Sequence, residues 1–197
     1  MNNSEFGNVV EQMRAHGMKL PVEKVNISIP GAKEILLNAM KYFIGCEGKE
    51  LVWLPEYNSV ANWLENNKGR GLFLFGNCGR GKSILCRYAL PAILLKYSRK
   101  VVSVFDVNDL NNNLDEVLKK HIISLDDIGT ESVKNNYGEK RIAFTEVMDA
   151  AEKFGKLVII SSNLGKDELI ERYGERVFDR IISTTDRVIF KGESLRK

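Results

Sequence analysis

Five short, mostly apolar runs divide the chain after residue 70. They cover 72–75, 101–105, 122–125, 157–160 and 187–190. Runs that stay apolar, instead of alternating with polar residues, are typical of strands that a sheet buries on both faces. Such strands are usually parallel, because helices cover both faces of a parallel sheet. The pattern therefore predicts a sheet of parallel strands.

Helical periodicity fills the intervals between these runs. Apolar residues recur at helical spacing over 82–97, 108–120 and 139–154 and, with a break, over 166–182. Strands that alternate with helices indicate a series of βαβ units, so the predicted fold class is α/β. Pro91 lies inside the first of these helices and is expected to kink it or to start a new turn there.

The part of the chain ahead of the first run carries weaker signals. Apolar residues at helical spacing predict one helix over 33–43 and another over about 56–66. Residues 1–30 show no strong pattern. We assign 1–50 to a short helical N-terminal segment and 51–197 to one α/β domain.

Composition limits the classes of protein that need to be considered. The 197 residues include 29 Lys and Arg against 26 Asp and Glu, a formal net charge of +3, and 44% of them are hydrophobic. These proportions exclude a disordered tail, a collagen-like fibre and a disulfide scaffold. The small positive charge permits a nucleic-acid or phosphate partner without indicating one.

Signals for export or membrane insertion are weak. The apolar runs are too short to span a membrane, and the first residues lack the basic-then-apolar order of a signal peptide. Cys46, Cys78 and Cys86 have no metal-ligand spacing. We therefore expect a cytoplasmic protein without disulfides, metal-binding cysteines or a membrane partner.

The strongest chemical signal is Gly-Asn-Cys-Gly-Arg-Gly-Lys-Ser at 76–83, which fits the pattern G-x-x-x-x-G-K-[ST] between a predicted strand and a predicted helix. Its glycines allow backbone N–H groups to point at phosphate oxygens, and the helix N-terminus favours negative charge. Lys82 is expected to contact the β- and γ-phosphates, and the Ser83 hydroxyl to contact Mg²⁺. The alternative is a glycine-rich turn that matches by chance. The predicted nucleotide-binding residues are Gly76, Asn77, Cys78, Gly79, Arg80, Gly81, Lys82, Ser83 and Ile84.

Two acids follow the third predicted strand. Asp126 and Asp127 come directly after 122–125, and carboxylates in such a place are costly to bury without a partner. A Mg²⁺ ion at the edge of the sheet would be that partner, with Asp126 on the metal side through a water molecule. Asp127 is then the residue that polarises the attacking water. The alternative is a strand-end turn that the aspartates cap themselves.

The fourth predicted strand also ends in polar residues. Asn163 follows Ser161 and Ser162 and is expected to face the crevice where open α/β sheets bind ligands. There it would hold the water between Asp127 and the γ-phosphate. The alternative is an N-cap or turn residue ahead of Gly165.

A charged helix precedes the last predicted strand. Arg176 and Arg180 are four residues apart and share one face of it. An arginine donated by a neighbouring subunit stabilises a phosphoryl-transfer transition state. However, Glu171, Glu175 and Asp179 lie on the same segment, so the charge pattern alone favours a solvated, salt-bridged face.

Together these motifs resemble an AAA+ ATPase of the DnaC/IstB type, the group of bacterial helicase loaders and transposition helper ATPases. The resemblance covers about 58–190. It rests on GNCGRGKS as Walker A, IISLDDIG as Walker B, VIISSNL as the sensor-1 strand and RYGERVFDRI as the arginine-finger region. In that family a GERV-x-[DS]-R-[IL] string precedes the final strand. The resemblance therefore implies that Arg180, and after it Arg176, acts as a finger on the ATP of a neighbouring subunit.

The resemblance also implies a fold, ligands and partners. It implies a P-loop, RecA-like core with strand order 5-1-4-3-2, here without a C-terminal lid, and ATP with Mg²⁺ as cofactors. It further implies self-association into a ring or spiral, single-stranded DNA as a second ligand, and a replicative DNA helicase or a transposase as client. Residues 1–50 are then expected to bind the client.

Other functions stay open at this point. An IstB-like helper that recruits a transposase would have the same ATPase motifs. A small P-loop kinase would carry an arginine-rich lid and an acceptor pocket, and the sequence indicates neither. A nucleotide-switched binding module with little turnover is favoured by Asp127, because many AAA+ proteins have glutamate there. The segment 106–121 has room for a single helix, whereas helicase loaders usually have a longer, DNA-contacting insertion.

Overall fold

The main sheet has five parallel strands. In the structure, a computed structural model that describes residues 3–110, 112–130, 134–136, 139–141 and 143–195, the strands are β1 (Gly71–Gly76), β2 (Ser103–Asp106), β3 (Ile122–Ile128), β4 (Leu157–Ser162) and β5 (Thr185–Phe190). Their order across the sheet is β2-β3-β4-β1-β5, and each adjacent pair is parallel. Read from the other edge, this is 5-1-4-3-2, so the expected strand order is confirmed.

Strands β3 and β4 extend beyond the apolar runs that predict them. β3 continues through Asp126 and Asp127 to Ile128, and β4 continues through Ser161 and Ser162. The hydrogen bonds of a ladder come from the backbone, so a strand can extend past its apolar run, and here the pairing resumes with Ile128 opposite Ser162 after a register shift. As a result, the polar ends of these two neighbouring strands lie side by side at the carboxyl edge of the sheet.

Helices cover both faces of this sheet. Those that precede it are α1 (Asn3–Ala15), α2 (Ala32–Gly45) and α3 (Pro55–Glu65). Helix α4 (82–98) follows β1, and α5 (Val107–Leu110) and α6 (Leu114–Lys119) lie between β2 and β3. Helix α7 (Ala143–Phe154) precedes β4, and α8 (Lys166–Tyr173) and α9 (Glu175–Thr184) connect β4 to β5. The alternation of strands and helices is therefore as predicted.

The helix predicted over 108–120 is wrong as a single element. It is divided into α5 and α6, because side chains such as those of Asn112 and Asn113 compete with helical hydrogen bonds and favour turns. Residue 111 lies outside the described residues.

The helix predicted over 139–154 begins later than expected, at Ala143. Ahead of it, Glu139–Arg141 pairs with Lys134–Asn136 in a small antiparallel ribbon. The polar residues there have no apolar period, so the sequence does not distinguish the ribbon from a helix start. Residue 142 lies outside the described part of the chain.

Helix α4 changes its hydrogen bonding in the middle. Lys82–Ile84 is α-helical, Leu85–Ala89 is π-helical, and Leu90–Ser98 is α-helical again. Pro91 has no N–H, and in a regular α-helix its ring would press against the carbonyl group of Arg87. The wider π turn ends just before Pro91 and accommodates it. The helix thus changes type where the sequence predicts a kink.

Two hydrophobic cores occupy the two faces of the sheet. The first packs α2, α3 and α4 against β1 and includes Leu36 and Leu85. The second packs α5 to α9 and includes Phe144. Ile27, ahead of α2, also belongs to the first core, and its N–H donates to Asn67 Oδ1 at 2.8 Å. A functional boundary after residue 50 stays a prediction, and the packing of the first core is continuous across it.

Within the described ranges, none of the helices has both the length and the apolar content needed to cross a bilayer.

Candidate functional site

The segment 76–83 forms a tight loop between β1 and α4. Its three glycines have positive φ angles, 110° at Gly76, 71° at Gly79 and 83° at Gly81, a region that residues with side chains rarely adopt. Space excludes a side chain as well, since a Cβ atom on Gly81 would lie 2.4 Å from the Tyr57 hydroxyl. The loop therefore presents backbone atoms to any ligand that approaches it.

Lys82 begins α4 and turns its ammonium group back over this loop. Its Nζ donates hydrogen bonds to the carbonyl oxygens of Gly76 at 2.8 Å and Asn77 at 2.7 Å. The residue is 6% exposed, and desolvation lowers the pKa of Lys82, although the charges of nearby acids act in the opposite direction. A cation held beside a helix N-terminus and a turn of backbone N–H groups is suited to an anionic ligand.

Side chains outside the motif hold the loop in place. The Tyr57 hydroxyl donates to the Arg80 carbonyl oxygen at 3.0 Å, and burial raises the pKa of Tyr57 to about 12, so the hydroxyl keeps its proton. Arg80 Nη2 pairs with Glu56 Oε1 at 3.2 Å, and Nη1 donates to the Glu193 carbonyl oxygen at 3.0 Å. The Lys191 N–H also donates to Glu56 Oε1 at 3.0 Å. These contacts tie the loop to α3 and to the segment that follows β5.

Asp127 has a backbone conformation that is uncommon for a residue with a side chain. Its φ is 64°, and the register of β3 against β4 shifts between Leu125 and Ile128. The Asp127 N–H donates to Ser161 Oγ at 2.8 Å, and Asp127 Oδ1 accepts a hydrogen bond from Asn163 Nδ2 at 2.6 Å. A bulge of this kind redirects a side chain, and here it places Asp127 beside Asn163.

Asp126 has a different environment from its neighbour in sequence. It is 3% exposed. Its Oδ1 accepts a hydrogen bond from the Ser161 hydroxyl at 2.5 Å, and its Oδ2 accepts one from Arg87 Nε at 2.6 Å. Arg87 also pairs through Nη2 with Asp106, the last residue of β2. Arg87 belongs to none of the sequence motifs, and Ser161 lies in the sensor-1 string without a predicted role of its own.

The loop formed by 76–83 is called the phosphate loop below. A cleft of ≈ 790 Å³ lies against it, a volume typical of small-molecule sites. Lys82, Ser83, Asp127 and Asn163 all line it, and Asp126 does not. Further lining residues were not predicted as site residues: Ile44, Glu47, Lys49, Glu50, Val52, Tyr57, Ser161, Glu193, Ser194 and Leu195. Most of them belong to the segment after α2 or to the segment after β5. Their sequences carry no motif, and only folding brings them to the cleft.

Arg176 and Arg180 lie on α9, outside the cleft. Arg180 is held by two acids of α7, with Nη1 2.5 Å from Asp149 Oδ1 and Nε 2.9 Å from Glu152 Oε2. The Arg180 side chain is 14% exposed, whereas that of Arg176 is 78% exposed and lies 4.0 Å from Asp149. A single chain therefore does not bring either arginine to its own phosphate loop.

The residues that are present fit a nucleoside triphosphate with magnesium. The glycine turn and Lys82 provide N–H groups and positive charge for phosphates. Ser83 and Asp127, which line the cleft, provide oxygen atoms, the ligand type that Mg²⁺ prefers, whereas the Asp126 oxygens are bonded to Ser161 and Arg87. Within the described residues, His, Cys, Asp and Glu side chains form no group of three or more that could hold a metal ion alone. Mg²⁺ in proteins is usually held by one or two carboxylates together with phosphate oxygens of the bound ligand.

The strand order, the phosphate loop between β1 and α4, and the acids at the end of β3 define the fold as the core of a P-loop AAA+ protein. Particular solved structures share it. The DnaC helicase loader matches with a TM-score of 0.53 and 20% identity over 83% of this chain and 93% of that chain. DnaI matches with a TM-score of 0.57 and 18% identity over 86% of this chain and 96% of that chain. The predicted AAA+ fold of the DnaC type is thus confirmed.

A third similar structure contains a nucleotide analogue. AMPPCP-bound DnaA from Aquifex aeolicus matches with a TM-score of 0.54 and 16% identity over 73% of this chain and 49% of that chain. At such identities the likeness establishes the fold alone. No family model matches the sequence, and no curated protein matches it.

Proposed function

We propose that this chain is a Mg²⁺-dependent ATPase that delivers or remodels a replicative DNA helicase. One observation carries the ATPase part of the proposal. Lys82, Ser83, Asp127 and Asn163 come from three separate segments and line one cleft, with Asp127 and Asn163 hydrogen-bonded at 2.6 Å. That a DnaA structure of the same fold is bound to AMPPCP supports nucleotide binding by this chain.

Each predicted residue has a role in the proposed reaction. The backbone of 76–81 and Lys82 hold the phosphates, and Ser83 and Asp126 serve the magnesium side. The ion, when bound, neutralises phosphate charge. Asp127 accepts the proton of the attacking water, and Asn163 orients both Asp127 and that water.

The arginines of α9 are the basis for proposing self-association into a ring or spiral. Because neither arginine lines the cleft of its own chain, we assign them to the ATP of a neighbouring chain. Arg180 is the first candidate for the finger and Arg176 the second. A γ-phosphate that binds Arg180 must compete with Asp149 and Glu152, whereas Arg176 is already exposed.

The proposals for the client and for the DNA ligand rest on similarity to other proteins. The DnaC structure with the same fold is a helicase loader, which supports a helicase as client. We place client binding in residues 1–50, where α1 leaves Phe6 56% and Val9 43% exposed. Single-stranded DNA is the proposed second ligand, and the cytoplasm is the proposed location.

Single-turnover hydrolysis of labelled ATP tests the reaction. Free phosphate is the expected product, and transfer to an acceptor molecule would identify a kinase instead. Lys82→Ala is expected to weaken ATP binding by at least about tenfold, because a charge-assisted contact is lost. Lys96→Ala removes an exposed cation from the same helix and serves as the control with unchanged affinity.

Co-purification with the replicative helicase and with a transposase, each with and without ATP, tests the client. We expect ATP-dependent retention of the helicase. Retention of the transposase alone would instead support an IstB-like helper, which has the same ATPase core.

One observation favours a second function, a nucleotide-switched binding module with little turnover. The Asp127 side chain is shorter than the glutamate side chain of many AAA+ proteins. Asn163 Nδ2 donates a hydrogen bond to Asp127 Oδ1 at 2.6 Å. This function would be favoured if ATP changes the affinity for the client while ATP hydrolysis is slower than client binding.

A further inference from the structure

Arg87, in the π-helical turn of α4, joins two carboxylates that the proposed reaction does not connect. Its Nε donates to Asp126 Oδ2 at 2.6 Å, and its Nη2 donates to Asp106 Oδ1. Asp106 ends the edge strand β2, and it is the register partner of Asp126 on β3. A single guanidinium group therefore bridges two adjacent strand ends on the magnesium side of the site.

Arg87 lies inside the π-helical turn of α4, whereas Lys82 lies in the α-helical turn that precedes it. In the π turn the Leu90 N–H donates to the Leu85 carbonyl oxygen, the i→i+5 bond that defines this type of helix. From this turn the Arg87 side chain reaches both carboxylates.

Asp126 is strongly dependent on this cation. Asp126 is 3% exposed. Without a partner, its carboxylate would lose its hydration, and no other interaction would offset the free-energy cost of that desolvation. Asp126 Oδ2 accepts the hydrogen bond from Arg87 Nε at 2.6 Å. With Ser161 on the other oxygen at 2.5 Å, each oxygen of Asp126 has a partner from this chain.

We propose that Arg87 is a positioning residue, an internal counter-cation of Asp126 anchored by Asp106, and that it weakens the binding of Mg²⁺ at the nucleotide site. The inference rests on the proposed nucleotide site. A guanidinium hydrogen-bonded to Asp126 offsets the charge that this carboxylate offers to a divalent cation. It also holds the carboxylate out of the cleft. Removing the guanidinium therefore strengthens Mg²⁺ binding, whereas loss of a merely structural ion pair would not.

Binding of AMPPCP to the full chain at pH 8, measured by calorimetry as MgCl₂ is titrated, tests the proposal without turnover. Arg87→Met is expected to lower the Mg²⁺ concentration for half-maximal enhancement of binding by roughly tenfold, the effect of one charge near a divalent ion. AMPPCP affinity in EDTA is expected to stay the same. Arg87→Lys keeps the charge and loses the fork, so an intermediate shift is expected. Lys96→Met removes a distant, exposed charge from α4 and should produce no shift.

An unchanged or increased Mg²⁺ requirement in folded Arg87→Met protein would overturn the proposal. So would an equal shift in Lys96→Met, because the effect would then be one of net charge. If Arg87→Met does not fold, Arg87→Lys decides by the same criterion. Failure of the wild-type chain to bind AMPPCP under any condition would overturn the proposed function itself, and this inference with it. Normal wild-type binding with no shift in the variants overturns this inference alone.

Discussion

The phosphate loop and the arginines of α9, which the proposed function assigns to the same ligand, are held in opposite ways. At the loop, positive-φ glycines, Lys82 and the Tyr57 hydroxyl are in place within one chain. At α9, Arg180 is paired with acids of its own chain, and Arg176 extends into solvent. The loop backbone is already shaped within one chain, whereas Arg180 would have to release Asp149 and Glu152 to bind an anion. We infer that nucleotide binding belongs to a single chain and that turnover depends on a second one.

The largest separation of binding from turnover is expected from Asp127→Asn. An amide does not accept the proton of the attacking water, so single-turnover hydrolysis should fall by about 100-fold or more. AMPPCP affinity and the Tm should stay near the wild-type values, since asparagine tolerates a φ of 64° as well as aspartate does. Asp115→Asn changes an exposed acid of α6 in the same way and is the matched control. An unchanged hydrolysis rate in Asp127→Asn would remove this residue from the role of general base.

A smaller effect is expected at α9, and it should depend on protein concentration. Arg180→Ala and Arg176→Ala are each compared with wild type across a dilution series of the ATPase assay. The finger variant should lose roughly tenfold or more of the activity at high concentration, with unchanged AMPPCP affinity in dilute protein. Arg180→Ala should also lower stability by about 1 kcal/mol, because Asp149 and Glu152 lose their partner.

These two arginine variants control for each other. Loss of activity in Arg176→Ala alone would make the exposed residue the finger. If neither variant alters the rate at any concentration, α9 has no part in hydrolysis and the contrast between the two regions disappears.

The smallest effect is expected from Tyr57→Phe, which tests how far the phosphate loop depends on its support. The variant loses the hydrogen bond to the Arg80 carbonyl oxygen, which contributes about 1 kcal/mol. AMPPCP affinity should therefore fall by roughly fivefold or less, and the Tm should fall slightly. Tyr97→Phe removes the hydroxyl of a 46% exposed tyrosine of α4 and should change neither value. An affinity as high as wild type in Tyr57→Phe would show that the loop holds its shape without this contact.

Several parts of the fold and of the site could be predicted because their information is local. The apolar runs located the strands of the main sheet. Burial on both faces accounts for the runs of the inner strands β1, β3 and β4, whereas the edge strands β2 and β5 include exposed positions. The segment 76–83 could be predicted because its glycines and Lys82 act on the adjacent backbone. The proximity of Asp127 and Asn163 followed from the fact that parallel strands end at a common edge.

Other features were predicted wrongly or not predicted, because they depend on weak local patterns or on residues that are distant in the sequence. The divided helix over 108–120 and the late start of α7 involve polar stretches whose turns and ribbon pairing leave no period. The partners of Asp126 belong to different elements, with Arg87 39 positions away along the chain. Lys191 and Glu56, which support the loop, are 135 positions apart.

By itself, the sequence determined the strands of the sheet, the turn that can receive phosphate and the acids beside it, because each depends on neighbouring residues or on a simple period. Only the tertiary structure decided which charges face one another. It placed Arg87 between Asp106 and Asp126, and it placed Arg180 against α7. Charge pairing acts over a few ångströms in space. The number of residues between two charges in the sequence does not determine how far apart those charges lie in the fold.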